Sequence, residues 1–481
     1  MNPRTRTAPP LPASLEVTID RDTRKLDERT LFGGSPARVL RITSAGQRAL
    51  EEIYNGTPRS TAARVLARRL TDTGLAHPKP SPKTNKLDVT VVVPVRDRPE
   101  SLDQTLKALA GRVQVIVVDD ASVHPQRIAE VAKKRGASLI VRAENGGPAA
   151  ARNTGMLNVE TDFVAFLDSD CIPSGDWLSP LLGHFDDPLV GAVAPRVVAA
   201  PDSSLAGRYG RSCGPLDLGD RAARVVPGSR VAYVPTAALM VRRTALDDVA
   251  REGNIFDPAL RVGEDVDLVW RLDRAGWRVR YDPSVQVAHL EPGHWPELLA
   301  RRFRYGTSAA PLSKRHPDSI SHLVLQFWPT LVVASLLARR PGLATGFFAG
   351  QLLSLRSRLK QADIPQENLL RSSSAGVYET WRGVGRYCTQ LAGPALVTAL
   401  VATGRGKRSN GRRLALSSLI LGPAVAKYLQ VRPEIDPIRF CLLHIADEIA
   451  YGSGVWFGCI RHRTMTPVKP QIISTPKRYD P

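Results

Sequence analysis

Residues 163–170 read FVAFLDSD, so that two aspartates, Asp168 and Asp170, directly follow an apolar run. The run predicts a buried strand, and the aspartates after it lie where that strand ends. Carboxylate oxygens are ligands that Mg²⁺ and Mn²⁺ prefer, and a cation held by two of them keeps positions open for a diphosphate. Asp168 could instead cap the turn after the strand. The sequence context favours metal binding over capping.

Apolar runs of the same kind lie on both sides of this segment within residues 87–290. VTVVVP begins at Val89, QVIVVDD ends at Asp119 and Asp120, and helical segments separate the runs. This alternation predicts an α/β domain with a mainly parallel sheet. Ligands bind at the carboxyl ends of such strands, so we expect the acidic positions and the loop 96–98 to converge at one edge.

Asp119 and Asp120 can accept hydrogen bonds from a nucleotide base or ribose. One of them could instead cap the next helix through Ser122, and the spacing leaves the assignment open. The loop GGP at 146–148 opens a helix of small residues, AAARN, which allows a ligand or backbone to approach closely. This loop lacks the lysine of a phosphate-binding loop.

Gly263-Glu264-Asp265 opens a later helix. A buried carboxylate beside a diphosphate could accept the proton of an attacking hydroxyl, although acidic residues are common in first helical turns. His289 ends an apolar run just before the turn Glu291-Pro-Gly. It is either a third metal ligand or a core histidine with satisfied hydrogen bonds.

Composition limits the partners of this protein. The chain has 481 residues, 43% of them hydrophobic, which is enough for two or three domains. The formal charge of +20 calls for an acidic partner. We expect no nucleic-acid binding, since no basic stripe with interleaved aromatics is present. An anionic membrane surface fits best, because basic groups flank C-terminal apolar stretches, although a solvated basic surface would give the same charge.

The flanking regions predict further domains. We expect residues 1–15 to be disordered and residues 77–86 to form a linker that few contacts cross. Between them, LEVTID, ERTLFG and ARVLRI predict strands and residues 43–54 and 60–74 predict helices of a small domain at 16–76. Residues 291–481 predict a helical, membrane-associated region whose apolar stretches are interfacial, re-entrant or short spanning helices, at 323–338, 341–355, 391–404 and 414–426.

Cysteine usage and the N-terminus indicate a reducing compartment. The five cysteines are scattered and lack C-x-x-C spacing, which argues against disulfides and a zinc site. The N-terminal segment lacks an apolar core, so no cleaved signal is expected. We therefore expect the protein on the cytoplasmic face of the membrane.

The ordered motifs VVVPVRDRPESL, VIVVDDAS, GGPAAARN, FLDSDCIP, GEDVDLVWRLDRAGWRVRYDP and VAH make residues 87–290 resemble family-2 glycosyltransferases of the GT-A fold. The resemblance implies inverting, Mg²⁺- or Mn²⁺-dependent transfer from a nucleotide-diphosphate sugar, with Asp265 as general base. It implies metal ligation by Asp168, Asp170 and His289. It assigns the nucleotide sugar to Pro94, Arg96, Asp119, Asp120, Arg152, Asn153, Asp168 and Glu264. The Q-x-x-R-W motif of processive synthases is absent, and residues 301–306 keep only its basic-aromatic character.

Residues 22–76 resemble PqqD-type winged helices, which hold precursor peptides. That domain joined to such a transferase resembles the glycosyltransferases of actinobacterial mycofactocin systems. The resemblance implies β-linked glucose, donated by UDP-glucose, and a peptide-derived acceptor, premycofactocin. The alternatives are a cell-envelope rhamnosyl- or galactosyltransferase with a lipid-linked or polysaccharide acceptor, a catalytically inactive peptide-binding module, and a DNA-binding regulator.

Overall fold

A computed structural model describes residues 8–83, 87–109, 111–317, 319, 323–361, 368–404 and 406–473. The chain divides into two compact units. The first unit comprises the described residues up to Pro201 together with Cys213–Glu291, and the second comprises Asp202–Ser212 together with the described residues from Pro292 onward.

The N-terminal part of the first unit confirms the three predicted strands and both predicted helices and adds two strands that the sequence did not predict. Thr43 caps the first helix by accepting from the Gly46 N–H, and Ser60 caps the second by accepting from the Ala63 N–H. Gly74, with φ of 73°, ends the second helix in the left-handed region. The elements are β1 (Glu16–Ile19), β2 (Arg24–Asp27), β3 (Thr30–Gly33), β4 (Arg38–Arg41), α1 (Ser44–Tyr54), α2 (Thr61–Thr73) and β5 (Ala76–Lys79).

Two predicted boundaries of this small domain need correction. Residues 1–7 lie outside the described residues, but Leu11 and Leu15 are 0% and 1% exposed, so residues 8–15 are packed rather than disordered. The predicted linker 77–86 begins inside β5, which pairs antiparallel with β1, while residues 84–86 lie outside the described residues. Proline-rich composition suggested disorder, but burial of two leucines against the folded domain stabilises the segment.

The small domain packs on the rest of the first unit through buried ion pairs, so the expectation of few contacts is wrong. Arg68 on α2 donates two hydrogen bonds to Asp187, at 2.6 and 2.7 Å, and both side chains are under 5% exposed. Asp72, one turn later, accepts from Arg278 at 2.8 Å. Charges buried in this way need their partners, so the two parts stabilise each other.

The remainder of the first unit is built on a nine-stranded sheet in the order β10-β14-β11-β13-β9-β6-β7-β8, with β12 beside β14. The elements are β6 (Val89–Val95), α3 (Pro99–Leu109), β7 (Gln114–Asp119), α4 (Pro125–Arg135), β8 (Ser138–Val141), α5 (Pro148–Met156), β9 (Phe163–Leu167), β10 (Cys171–Pro173), α6 (Leu178–Gly183), β11 (Val190–Ala199), β12 (Ala223–Val225), β13 (Ala238–Arg242), α8 (Arg243–Val249), α9 (Glu264–Arg274) and β14 (Arg278–His289). The intervening helix α7 (Leu205–Cys213) lies almost wholly in the second unit.

The predicted mainly parallel sheet is confirmed. Strands β9, β6, β7 and β8 are mutually parallel, and β11 and β14 run in the same direction. β6 is buried along its whole length, as expected for a central parallel strand covered on both faces. Helix α5 approaches β6 closely, because Gly155 leaves no room for a side chain against Val92.

The second unit is helical, as predicted. Its elements are α7, α10 (Trp295–Thr307), α11 (Ala309–Arg315), β15 (Val324–Gln326), α12 (Phe327–Leu337), α13 (Pro341–Gln361), α14 (Leu369–Ala402), α15 (Lys407–Val431), α16 (Pro437–Arg461) and β16 (Gln471–Ile473). Glycines bring α10 and α16 together, since a Cβ on Gly454 would overlap the Phe303 carbonyl oxygen and one on Gly458 the Thr307 carbonyl.

Among the described residues, one helical segment is long and apolar enough to cross a membrane by length and composition, namely the 23 residues Ser409–Val431 of α15. Gly422 and Pro423 interrupt the apolar stretch in the sequence, yet both lie inside the continuous helix. Only 11% of its most apolar stretch is buried inside the protein.

Candidate active site

The predicted site residues lie at the carboxyl edge of the parallel strands. Asp119 is the last residue of β7, and Asp168 and Asp170 follow β9. Two helices start near this edge, each after a glycine in the left-handed region: Gly147 (φ 83°) precedes α5 and Gly263 (φ 86°) precedes α9. Glycine adopts this conformation without a Cβ clash, so both chains can turn sharply into a helix.

The two neighbouring aspartates after β7 have different roles. One oxygen of Asp119 accepts from the Ser122 N–H at 3.0 Å and from the Ser122 hydroxyl at 2.5 Å, while its Oδ2 is buried without a hydrogen-bond partner. Asp120 accepts from the N–H groups of Gly146 and Gly147 at 3.0 and 2.7 Å and so fixes the glycine loop. A buried carboxylate oxygen without a partner is costly unless a ligand supplies a donor.

Arg152, on α5, links two of the predicted acidic positions. Its guanidinium is 2% exposed and donates to Asp168 at 2.6 Å and to Glu264 at 2.7 Å. Burial alone would lower the pKa of Arg152, but the two carboxylates outweigh burial and raise it. Arg152 is therefore a permanent cation that holds the D-x-D turn against the start of α9.

Burial also raises the pKa of both partners of Arg152. For Asp168 the nearby Asp170 charge adds to burial, and Arg152 opposes the shift. For Glu264 burial outweighs the same opposing effect of Arg152. The site thus concentrates negative charge in a water-poor setting, which suits a cationic or hydrogen-bonding ligand.

Asp265 follows Glu264 in the first turn of α9 and is half-buried. Burial and the neighbouring Glu264 carboxylate raise the pKa of Asp265 to about 7. Its Oδ1 accepts only from the adjacent Val266 N–H among the contacts of the described residues, at 2.8 Å. A carboxylate with a pKa near neutrality can take a proton from a hydroxyl and release it to water.

Three other predicted contacts with the nucleotide sugar have structural partners of their own. The Asn153 amide donates to the Phe256 carbonyl at 2.7 Å and accepts from the Phe256 N–H at 2.9 Å, so it fixes that loop. Pro94 is buried inside β6 beside Val118. Arg96 is half-exposed and pairs with Asp97 at 3.4 Å. A nucleotide-binding role for these three residues stays a prediction.

A group of possible metal ligands lies where β10 and β14 pair. Asp170, Cys171 and His289 each offer one ligand atom, and these atoms lie within 4.8 Å of one another. The His289 Nε2 is 3.6 Å from Asp170 Oδ1. Two predicted ligands, Asp170 and His289, therefore meet, whereas the third, Asp168, contacts Arg152 beside them.

Sequence reasoning missed three residues of this region. Arg98, after β6, forms a salt bridge with Asp170. Cys171 lies directly across the sheet from His289, and the Glu291 carboxylate contacts the His289 ring. The sequence analysis included Arg98 only as part of the RDR loop and Glu291 only as part of the EPG turn. No local pattern predicted the contacts of either residue.

Comparisons with known proteins agree with this geometry. The sequence profile described as "Glycosyl transferase family 2" matches residues 90–249. The chain is 37% identical over 481 residues to the pre-mycofactocin glycosyltransferase of Mycobacterium tuberculosis, covering 97% of this chain and 99% of that protein. It is 26% identical over 231 residues to the glycosyltransferase AglE of Haloferax volcanii, covering 45% of this chain and 71% of that protein.

One solved structure with a similar fold is a mannosyltransferase from Pyrobaculum calidifontis in complex with GDP-Man and Mn²⁺. It is 18% identical, has a TM-score of 0.45, and the match covers 78% of this chain and 89% of that one.

The mainly parallel sheet, with carboxylates and paired glycine turns at its edge, is that of a GT-A glycosyltransferase. The identity along nearly the whole of a curated relative fixes the family. The chain belongs to glycosyltransferase family 2.

Proposed function

We propose that this enzyme transfers glucose from UDP-glucose to premycofactocin and forms a β-linkage with inversion. The observation that carries the chemistry is Asp265, half-buried with a pKa raised by burial and Glu264 to about 7, beside the Arg152 ion pairs. The acceptor is inferred from the relative that matches 97% of this chain, whose name specifies pre-mycofactocin.

In the proposed reaction Asp265 takes the proton of the acceptor hydroxyl. The hydroxyl oxygen forms a bond to the anomeric carbon while the bond from that carbon to the diphosphate breaks, and the leaving diphosphate keeps the electron pair. A single displacement of this kind inverts the anomeric centre, which turns an α-linked donor into a β-linked product. General-base assistance contributes typically about 10²–10⁴-fold in rate.

The donor nucleotide fits the acidic end of β7. The buried Oδ2 of Asp119 lacks a hydrogen-bond partner, so an N–H of a pyrimidine base or a ribose hydroxyl would satisfy it. Asp120, fixed to the glycine loop, would hold that loop beside the nucleotide.

A divalent cation, Mg²⁺ or Mn²⁺, fits the donor set of Asp170 and His289 with Asp168 alongside. The His289 Nε2 and Asp170 Oδ1 atoms lie 3.6 Å apart, so both could contact one cation at metal–ligand distances of about 2.1 Å. When bound, the ion would neutralise negative charge that builds on the leaving diphosphate. Arg98, which pairs with Asp170, lies near the same oxygen atoms and can contact the diphosphate.

The N-terminal domain would hold the peptide-derived acceptor as a PqqD-like recognition domain. Phe32 on β3 and Val39 on β4 are cross-strand partners, and both are exposed at 39% and 37%. An exposed apolar pair on a small sheet offers an apolar peptide side chain a place to dock.

We further propose that the second unit holds the enzyme on the cytoplasmic face of the membrane. Large apolar side chains along α15 face outward, including Leu421, Val425 and Leu429 at 41%, 44% and 65% exposure. Basic residues border the apolar stretch of this helix: Arg412 and Arg413 precede the stretch within the helix, and Arg432 follows the last helical residue. Apolar surface bordered by positive charge is attracted to anionic lipid.

The decisive experiment offers the purified full-length enzyme UDP-glucose, UDP-galactose and dTDP-rhamnose, each without acceptor, with premycofactocin and with a lipid-linked acceptor. We expect nucleoside diphosphate release that depends on both UDP-glucose and premycofactocin, and a product whose mass increases by one or more hexoses. The anomeric coupling in the NMR spectrum of the product reports the linkage. Transfer from dTDP-rhamnose or UDP-galactose to lipid-linked acceptors alone would support the cell-envelope alternative instead.

A second experiment tests the acceptor surface. Phe32→Gln with Val39→Gln should raise the KM for premycofactocin and leave the KM for UDP-glucose unchanged. Val65→Gln, which alters an exposed apolar residue of α2 in the same domain (52% exposed), is the matched control and should change neither value. If the double variant has a normal KM for the acceptor, this sheet face does not bind it.

A further inference from the structure

The backbone around His289 is fixed on both sides. His289 is the last residue of β14, which lies between β10 and β11, and its register partners are Cys171 and Ala199. Its carbonyl accepts from the Ala200 N–H at 2.8 Å, and the next residue, Leu290, donates its N–H to the Asp170 carbonyl at 2.8 Å. The orientation of the imidazole therefore depends on rotation of the side chain alone.

A second contact fixes that rotation. The Nδ1 of His289 lies 3.1 Å from Oε1 of Glu291, whose side chain is 2% exposed, while Nε2 lies 3.6 Å from Asp170 Oδ1. A carboxylate can only accept, so Nδ1 carries the proton and donates to Glu291. In the neutral imidazole the lone pair is then on Nε2, which faces Asp170.

We propose that Glu291 is a positioning residue for the metal centre: it sets the tautomer and ring orientation of His289 so that Nε2 and Asp170 bind one divalent cation together. This inference rests on the proposed metal site of Asp170 and His289. Glu291 does not touch the cation. It acts through the ring, as in the carboxylate–histidine–metal arrangement found at many protein metal sites.

The spacing in the sequence supports this role. Glu291 follows His289 by two residues, and side chains two apart in extended chain lie on the same side. The residue between them is held by its hydrogen bond to the Asp170 carbonyl, so the carboxylate and the ring cannot easily separate. A negative charge beside Nδ1 also increases the electron density on Nε2, so that Nε2 binds a cation more strongly.

The test measures Mn²⁺ affinity of the full-length protein from the EPR signal of free Mn²⁺, without nucleotide or acceptor. Glu291→Ala should weaken Mn²⁺ binding about 10- to 100-fold, the usual effect of losing such a partner. Glu291→Gln keeps an acceptor oxygen but lacks the charge, so it should give an intermediate loss. Nucleotide affinity measured in EDTA should be the same in all three proteins.

A matched control is present in the same unit. His184 Nε2 and Asp282 Oδ2 form a second, partly buried imidazole–carboxylate pair, at 2.9 Å, that takes no part in the site. Asp282→Asn should lower the melting temperature and leave Mn²⁺ affinity unchanged. If the two Glu291 variants behave like Asp282→Asn, Glu291 has only a structural role and the proposal is overturned.

Variants of the proposed ligands separate this proposal from the one it rests on. If His289→Ala and Asp170→Asn abolish Mn²⁺ binding while Glu291→Ala does not weaken it, the metal site stands and the role of Glu291 is wrong. If His289→Ala binds Mn²⁺ as tightly as the natural protein, both the proposed metal site and the proposed role of Glu291 are wrong. Should Glu291→Ala fail to fold, Glu291→Gln decides, since weaker Mn²⁺ binding is the expected result and an unchanged Mn²⁺ affinity overturns the proposal.

Discussion

The two units of this protein place polar and apolar groups in opposite ways. In the first unit the central strand β6 is buried throughout, and buried charged side chains such as Arg68, Asp187 and Arg152 form ion pairs. In the second unit large apolar residues of α13, α14, α15 and α16 are exposed, while Arg302, Asp447 and Glu448 are each at most 9% exposed. The second unit therefore combines exposed apolar side chains with buried charges, and this combination is the basis of the proposed membrane association.

The buried charges of the second unit form a connected network. Arg302 on α10 donates to Asp447 on α16 at 2.7 Å, and the Tyr209 hydroxyl of α7 donates to the same carboxylate at 3.2 Å. Arg386 on α14 donates to Glu448 at 2.9 Å. These contacts join α7, α10, α14 and α16, and large apolar side chains are exposed on α14 and α16.

The largest expected effect is deletion of residues 1–80 within the first unit. Arg278 and Arg280 would lose Asp72, Asp187 would lose Arg68, and the surface that these ion pairs join would become exposed to water. We expect the truncated protein not to fold, as judged by circular dichroism and size-exclusion chromatography. A cooperative thermal transition near that of the full chain would show that the two parts are independent, as the linker composition suggested.

Next in size is Asp265→Asn, which removes the proposed base from the first unit. Turnover should fall by about 10²–10⁴-fold while nucleotide affinity is kept, because the variant removes a proton acceptor and leaves the side-chain shape. Asp273→Asn, on the same helix and paired with Arg224, is the control and should affect stability rather than turnover. Near-normal turnover of Asp265→Asn would exclude Asp265 as the base.

Asp447→Ala tests how much the buried ion pair of the second unit contributes to stability. It leaves Arg302 buried without its carboxylate, so we expect a loss of about 3–5 kcal/mol in the free energy of unfolding, measured in detergent. The double variant Arg302→Met with Asp447→Leu should recover most of this loss. Glu379→Gln breaks an exposed pair with Arg382 and should cost at most about 1 kcal/mol. Equal effects of Asp447→Ala and Glu379→Gln would mean that the network contributes little.

The pH dependence of turnover tests the assignment of Asp265, in the first unit, as the general base. The base must be ionised, and burial and Glu264 raise the pKa of Asp265 to about 7, so turnover should fall about tenfold per pH unit below that value. Stability changes in the other sense: the raised pKa favours the folded state below the unfolded pKa of 3.8, and this contribution is lost as pH rises through about 7. Asp265→Asn should therefore melt at a higher temperature than the natural protein at pH 8. A flat profile of turnover between pH 6 and about 8 would contradict the assignment.

The smallest effect on stability is expected for Leu421, Val425 and Leu429 of α15, each changed to Gln. Exposed side chains contribute within about 0.5 kcal/mol, yet their loss should reduce co-sedimentation with anionic vesicles. The control changes Val123, Val141 and Leu157 of the first unit, which are more exposed, at 70%, 54% and 83%, and should leave vesicle binding unchanged. If the two triple variants bind anionic vesicles equally, the two units do not differ in their attraction to lipid.

Local patterns predicted the elements but not their mutual contacts. The strands that end at Asp119 and before Asp168 could be predicted, because an apolar run followed by carboxylates involves only neighbouring residues. The packing of residues 8–15 was not, because Leu11 and Leu15 become buried only against α2 and its neighbours.

The sequence by itself determined the parallel sheet, the acidic edge and the order of the motifs, since each depends on periodicity or on the end of one strand. Only the tertiary structure decided which side chains each carboxylate contacts. Arg152 joins Asp168 to Glu264, which is 96 residues away in the chain, and Glu291 turns the ring of His289 toward Asp170. The energy of such contacts depends on distance, burial and neighbouring charge, and these arise when remote segments pack together.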